Sequence, residues 1–200
     1  REPWRSAAAL CWETGRDWYR LPPGAELLRQ AWKRRVNTPQ TSAVGRLFDA
    51  AAALTGVCLE ASFEGQGPMS IEALCHGPAD AVPMPVKKNQ QGLWISDWEP
   101  LLEMLLENSR SVAHRAARFH ASLALTALQQ ACQIRAEHGI TRVGLSGGVF
   151  QNRILTEQLI MLLQNEGFTV RLPEMIPVND AGLCFGQVVE YALRTPGAAG

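Results

Sequence analysis

The stretch Arg142-Val-Gly-Leu-Ser-Gly-Gly-Val-Phe-Gln-Asn152 could bind an anion. It reads as a buried strand, a double-glycine turn and the start of a helix. Gly147 and Gly148 lack Cβ atoms, so the backbone can turn sharply and a ligand can come close to it. Asn152 stands at a helix N-cap position, ahead of the apolar run Ile154, Leu155, Leu159, Ile160 and Leu163. Amides at a helix N-terminus, with its partial positive charge, suit a phosphate or an anionic carbonyl compound. A plain capped strand-to-helix connection would have the same residues.

Other candidates are scattered along the chain. Asp180 precedes Ala181-Gly-Leu-Cys-Phe-Gly, where it could cap the last helix or serve as an oxygen ligand to a hard cation. Asn179 beside it could do either. Gly45 and Asp49 are four residues apart and share a helix face; the glycine permits close approach and the acid can accept from sugar hydroxyls. Helix packing with a solvated acid is the preferred reading of these two residues taken by themselves. Glu64-Gly65 is a turn that matters only if it faces the same cleft.

None of His76, His114, His120 and His138 has the i, i+4 spacing that aims two imidazoles at one metal. His120, next to Phe119 on an apolar helix, is the one expected to point into a site. Cys11, Cys58, Cys75, Cys132 and Cys184 never form a C-x-x-C, which excludes a zinc knuckle and fits a reducing cytoplasm. No basic neighbour marks any of them as a nucleophile, so no catalytic residue is assigned. The run Trp32-Lys-Arg-Arg35 fits a solvated helix end.

These residues need a scaffold. The chain has 200 residues, 46% of them hydrophobic, enough for a core in one domain or two small lobes. Nineteen basic and nineteen acidic residues cancel, which argues against an affinity built on nucleic-acid backbones. No apolar run approaches the ~18 residues of a membrane span, and no signal peptide is evident. The opening Arg1-Glu-Pro-Trp suggests a piece of a longer polypeptide.

Helices are expected over 3–19, 25–34, 43–54, 69–76, 98–107, 109–138, 152–165 and 181–193. Gly139 stops the longest of them. Strands are expected over 142–146 and 168–172, with shorter ones at Leu59 to Phe63, Val82 to Val86 and Leu93 to Ile95. Residues 77–92, rich in Pro, Gly and Asn, read as a mobile connector, and the last six residues as a frayed tail. The second half alternates helix and strand, which predicts an α/β fold with parallel pairing. Gly147 and Asp180 both follow strands, so they should share the rim where open α/β sheets bind ligands.

Six segments together resemble a known family: Arg1-Glu-Pro-Trp-Arg5, Thr41-Ser-Ala-Val-Gly-Arg-Leu-Phe-Asp49, Phe63-Glu-Gly-Gln66, Ala117-Arg-Phe-His120, Leu145-Ser-Gly-Gly-Val-Phe-Gln-Asn152 and Asn179-Asp-Ala-Gly182. In this order they are similar to the C-terminal part of the last domain of the HypF carbamoyltransferases, maturation factors of [NiFe]-hydrogenases. That domain is similar in turn to the universal tRNA threonylcarbamoyl-adenosine synthesis enzymes. The resemblance implies one lobe of an actin/Hsp70-like (ASKHA) fold, a mixed sheet flanked by helices.

It further implies that ATP and carbamoyl phosphate give carbamoyl-adenylate in a preceding domain. The carbamoyl group then passes to the C-terminal cysteine thiolate of the partner HypE. Gly45, Asp49, Glu64 and Gly65 would lie along the nucleotide, with Asp49 on the ribose hydroxyls. Gly147, Gly148 and Asn152 would cradle phosphate or adenosine. Asp180 would be a ligand to a divalent metal, zinc or iron, completed by histidines upstream of Arg1. Alone, the chain would be a nearly inactive half-site with an exposed apolar face. Two alternatives remain open: a tRNA threonylcarbamoylation-type enzyme, and a non-catalytic lobe that binds nucleotide or HypE.

Overall fold

The computed structural model describes residues 2–194; Arg1 and the tail expected over the last six residues lie outside them. The chain divides into two compact units, Arg1–Thr126 and Ala127–Gly200.

The first unit is mainly helical: α1 (Pro3–Glu13), α2 (Ala25–Lys33), α3 (Val44–Leu54), α4 (Gln66–Ala73), α5 (Glu99–Leu106) and the first half of α6 (Val112–His138). Between α4 and α5, β1 (Val86–Lys88) pairs antiparallel with β2 (Trp94–Ser96). Small residues set the central contact. Ala7 and Ala8 of α1 and Ala50 to Ala53 of α3 are all fully buried, so the two helices pack closely. Phe48 and Phe119 meet edge to face, with ring centroids 4.9 Å apart, and Ile71, Leu101, Leu102 and Leu105 are also buried in this unit.

The second unit alternates. β3 (Arg142–Gly144) leads through a short 3-10 helix, Gly148–Gln151, into α7 (Arg153–Asn165). β4 (Thr169–Arg171) follows, then a second short 3-10 helix, Asp180–Gly182, and α8 (Leu183–Arg194). β3 and β4 pair in parallel, Val143 opposite Val170, as the alternation predicts. Leu155, Leu159 and Leu163 recur at four-residue spacing and bury one face of α7. Among its described residues α8 buries none, and Leu183, Phe185, Val188, Tyr191 and Leu193 are exposed.

Three expectations change. The first helix ends at Glu13 rather than 19, because Gly15 turns left-handed (φ 66°) and Arg16 N–H closes back on Cys11 carbonyl at 2.8 Å. Residues 59–63 form no strand: Leu59 carbonyl accepts from Trp4 N–H (3.2 Å) and Ser62 N–H donates to Gln66 Oε1 (2.6 Å). Their backbone partners are thus helix ends rather than a neighbouring strand. The single mixed sheet is replaced, among the described residues, by two separate two-stranded sheets, one of each sense.

Phe119→Ala is expected to destabilise the first unit by about 3–5 kcal/mol, since it empties a fully buried aromatic site. Urea unfolding followed by circular dichroism checks this; a loss below about 1 kcal/mol would remove the Phe48–Phe119 contact from the core.

Candidate functional site

Each unit carries part of the predicted set. In the first, Gly45 and Asp49 lie on α3, and Glu64-Gly65 lead into α4. Gly65 is the N-cap of α4 at φ 83°, a conformation that favours glycine. The turn folds onto α3: a Cβ on Gly67 would lie 3.8 Å from Asp49 Oδ1 and 3.1 Å from Ala52 Cβ. Glu64 is an electrostatic neighbour of Asp49. A Cβ on Gly45 would meet open space, so one turn before Asp49 the helix has room for a ligand. The structure therefore brings Gly45, Asp49, Glu64 and Gly65 to one place.

Asp49 is half-buried, and Arg46 Nη1 lies 2.8 Å from its Oδ2. Burial is the main influence and raises its pKa; Arg46 opposes this and Glu64 adds to it. Such a carboxylate, held by one arginine and short of water, is a strong hydrogen-bond acceptor.

In the second unit the glycine turn and the turn before α8 are neighbours. Gly147 (φ 110°) donates its N–H to Val178 carbonyl at 2.6 Å, and a Cβ on Gly148 would lie 3.9 Å from Asn179 Cβ. Gly147 and Asp180 thus share a rim beyond β3 and β4. The Gly147 amide is engaged, so an anion here would meet the amides of Gly148 and Val149, the first of the short helix. Asn152 is buried and caps α7, its Oδ1 accepting from Leu155 N–H at 2.9 Å. Asn179, not Asp180, caps the next turn, accepting from Ala181 N–H at 3.2 Å. That leaves the exposed Asp180 carboxylate outside the cap.

A metal is poorly served by these residues. Among the described residues no group of three His, Cys, Asp or Glu side chains could hold one. Asp180 is a single carboxylate, whereas zinc takes three or four protein ligands. The described residues do not by themselves form a metal centre.

His120 does not reach a site. It is fully buried, packed on Phe48 with centroids 5.4 Å apart. Its Nδ1 lies 2.8 Å from Ala116 carbonyl and 3.2 Å from Cys75 Sγ. Spacing gave no sign of this Cys–His contact, which looks like a nucleophile and its base. The chemistry is otherwise. Burial pushes the Cys75 thiol up to about 11 and lowers His120. A carbonyl can only accept, so Nδ1 carries the proton and cannot take one from sulfur. Cys11 is likewise pushed up to about 11 by burial. All five cysteines are free. Among the described residues no helix is long and apolar enough to cross a membrane.

Comparison with known proteins fits this geometry. Residues 1–187 match the family described as carbamoyltransferase, Kae1-like domain, second subdomain. The carbamoyltransferase HypF of Rhizobium leguminosarum bv. viciae is 35% identical over 195 residues, covering 94% of this chain and 25% of the relative. HypF of Synechocystis sp. is 35% identical over 165 residues, 81% of this chain and 21% of the relative. The chain spans about a quarter of the length of these curated relatives. A crystal structure of full-length HypF in its phosphate- and nucleotide-bound form superposes with a TM-score of 0.86 at 29% identity, over all of this chain and 27% of that one. HypF of T. kodakarensis shares the fold at a TM-score of 0.76 and 22% identity, over 96% of this chain and 27% of that one.

The raised pKa of Asp49 has a measurable sign. Its ionised form is penalised in the folded chain, so the penalty is absent in acid. It grows as pH rises from the usual aspartate range through the raised value, and is complete at neutrality. Asp49→Asn should therefore gain stability relative to the parent as pH rises through that window. Melting temperatures of both from roughly pH 3 to 7 check this; a difference that stays flat or falls would contradict the shift. The paired turns, the α3–α4 contact and the matches across residues 1–187 identify the chain as a member of the HypF carbamoyltransferase family, the second subdomain of its Kae1-like domain.

Proposed function

We propose that this chain supplies one lobe of the adenylate site of a carbamoyltransferase in [NiFe]-hydrogenase maturation. The lobe is of the actin/Hsp70-like kind. The observation that carries the reading is the half-buried Asp49 beside Gly45, Glu64 and Gly65, a set fit to hold a nucleoside. The nucleotide-bound state of the similar full-length HypF supports it.

In this reading Asp49 accepts from the ribose hydroxyls, and Gly45 and Gly65 allow the nucleotide to lie against the backbone. The amides of Gly148 and Val149 face the phosphate and steady the charge that develops on it. The acceptor is the thiolate of the C-terminal cysteine of HypE. Its sulfur attacks the carbamoyl carbon of carbamoyl-adenylate, the C–S bond forms, and AMP leaves with the electrons of the C–O bond. An external nucleophile agrees with the burial of Cys11 and the protonated thiol of Cys75. Asp180 would give one carboxylate to a divalent metal, zinc or iron, with the remaining ligands supplied from outside this lobe. Carbamoyl phosphate and ATP are the upstream substrates, and the adenylate is made elsewhere. The protein works in the cytoplasm.

Calorimetric titration with ATP and with a non-hydrolysable carbamoyl-adenylate mimic tests the reading. Asp49→Ala should weaken binding by about tenfold or more, the loss of a charged hydrogen bond. Asn152→Ala should weaken it less, through the loosened α7 cap. The chain alone should not carbamoylate a HypE C-terminal peptide. Nucleotide binding indifferent to Asp49 would sink the site assignment, and a gel shift with tRNA would favour the tRNA-modifying alternative.

A further inference from the structure

Arg46 and Asp49 are unequally placed in water. Both lie on α3, three residues apart, with Arg46 Nη1 2.8 Å from Asp49 Oδ2. The arginine side chain is 59% exposed and the aspartate 14%, so the pair joins a solvated cation to a largely dry acid. A pair with one solvated member adds little to stability, because ordering a long side chain offsets most of the attraction. The position also runs against the helix. Arg46 sits in the first turn of α3, its N–H donating to Ala43 carbonyl at 3.0 Å; the dipole favours acids there, yet that turn has none. Neither the helix dipole nor the strength of the pair accounts for an arginine at this place.

What the pair does is fix a direction. A carboxylate can turn about its Cβ–Cγ bond and offer either oxygen. With Oδ2 held by Arg46, that rotation stops. Oδ1 is then the free acceptor: among the described residues no donor reaches it. It faces the start of α4, where a Cβ on Gly67 would lie 3.8 Å away. On α3 itself the approach is open, since a Cβ on Gly45 would meet no atom within 4 Å. Burial and the neighbouring Glu64 both oppose the charge of Asp49, and Arg46 is the side chain that favours it. One residue thus keeps the acid both ionised and aimed. Hydrogen bonds weaken steeply off line, so an aimed oxygen distinguishes a ligand with a hydroxyl at one place from a ligand without it.

We propose that Arg46 is a positioning residue that sets sugar specificity: by holding Oδ2 of Asp49 it presents Oδ1 to a ribose hydroxyl, and the site takes a ribonucleotide in preference to one lacking the sugar hydroxyls. This role rests on the nucleoside reading of Asp49.

Calorimetric titration of the full chain with ATP and with dideoxy-ATP, which lacks both sugar hydroxyls, tests it in the parent, Arg46→Gln, Arg46→Lys and Asp49→Ala. The parent should favour ATP by about tenfold or more, the effect of a charged hydrogen bond. Arg46→Gln should bring ATP down toward the dideoxy compound, whose own affinity stays within roughly twofold of the parent value. Arg46→Lys keeps a cation for the single bond to Oδ2 and should recover much of the preference. Both Arg46 variants should melt close to the parent, since the side chain is mostly solvated. Equal losses for both ligands in Arg46→Gln overturn the role, because a cation that merely attracts phosphates would give them. An unchanged preference in Arg46→Gln, or a lysine variant no better than glutamine, overturns it too. If Asp49→Ala abolishes the preference while Arg46→Gln leaves it whole, the nucleoside reading stands and the role of Arg46 falls. If Asp49→Ala leaves ATP affinity untouched, or the parent binds no ATP or binds both ligands alike, both fall.

Discussion

Parallel strands cannot be joined by a tight turn. The chain must leave the end of one, cross back over the sheet and re-enter the next at its start. In this protein α7 makes that return, and the whole second unit follows from it. Both β3 and β4 then run out at the same edge, so the segments after them meet there whatever their sequence. The bond from Gly147 N–H to Val178 carbonyl records that meeting. Glycine at 147 and 148 lets the first segment turn without a side chain striking the second, where Asn179 lies against Gly148. Caps complete the arrangement: Asn152 holds α7 and Asn179 holds the turn before α8.

The first unit reaches its geometry by a different route. Four consecutive alanines on α3 leave no face of that stretch to solvent. Such a helix must be surrounded, and α1 and α4 surround it. Asp49 and the alanines follow one another directly, so the carboxyl is drawn partly out of water by packing that involves none of its own atoms. The raised pKa is the electrostatic trace of that packing. A nucleotide subsite here would use a carboxylate positioned by hydrophobic contacts, with Arg46 keeping it from straying.

Features that the local chain decides were legible in the residues. Gly139 stops α6, the alternation of patterns foretells parallel pairing, and Asn152 caps α7. Features decided by distant partners were not. The apolar run 59–63 looks like a strand, yet its backbone groups bond to the ends of α1 and α4. Asn179 and Asp180 cap equally well by type, and only the φ, ψ of the folded turn chooses between them. His120 sits on an apolar pattern that fits either a core or a cleft; Phe48 from α3 and Cys75 from the segment after α4 make it core.

The placement of the thiols bears on what the lobe can do. Cys11 and Cys58 are buried, and the Cys75 thiol is held protonated beside an imidazole that already donates its Nδ1 proton to a backbone carbonyl. Cys75 thus lacks the base that a nucleophile needs. Its contact with His120 serves packing, each group having a backbone carbonyl as its partner: Ile71 for the thiol and Ala116 for the imidazole. Groups able to stabilise charge lie instead at helix starts and on Asp49, where a ligand can arrive from solvent. In the proposed reading, a lobe built this way would position and polarise a bound molecule while the reacting sulfur comes from outside it. That division of labour also lets the interior stay closely packed, since no catalytic side chain has to be kept both buried and ionised.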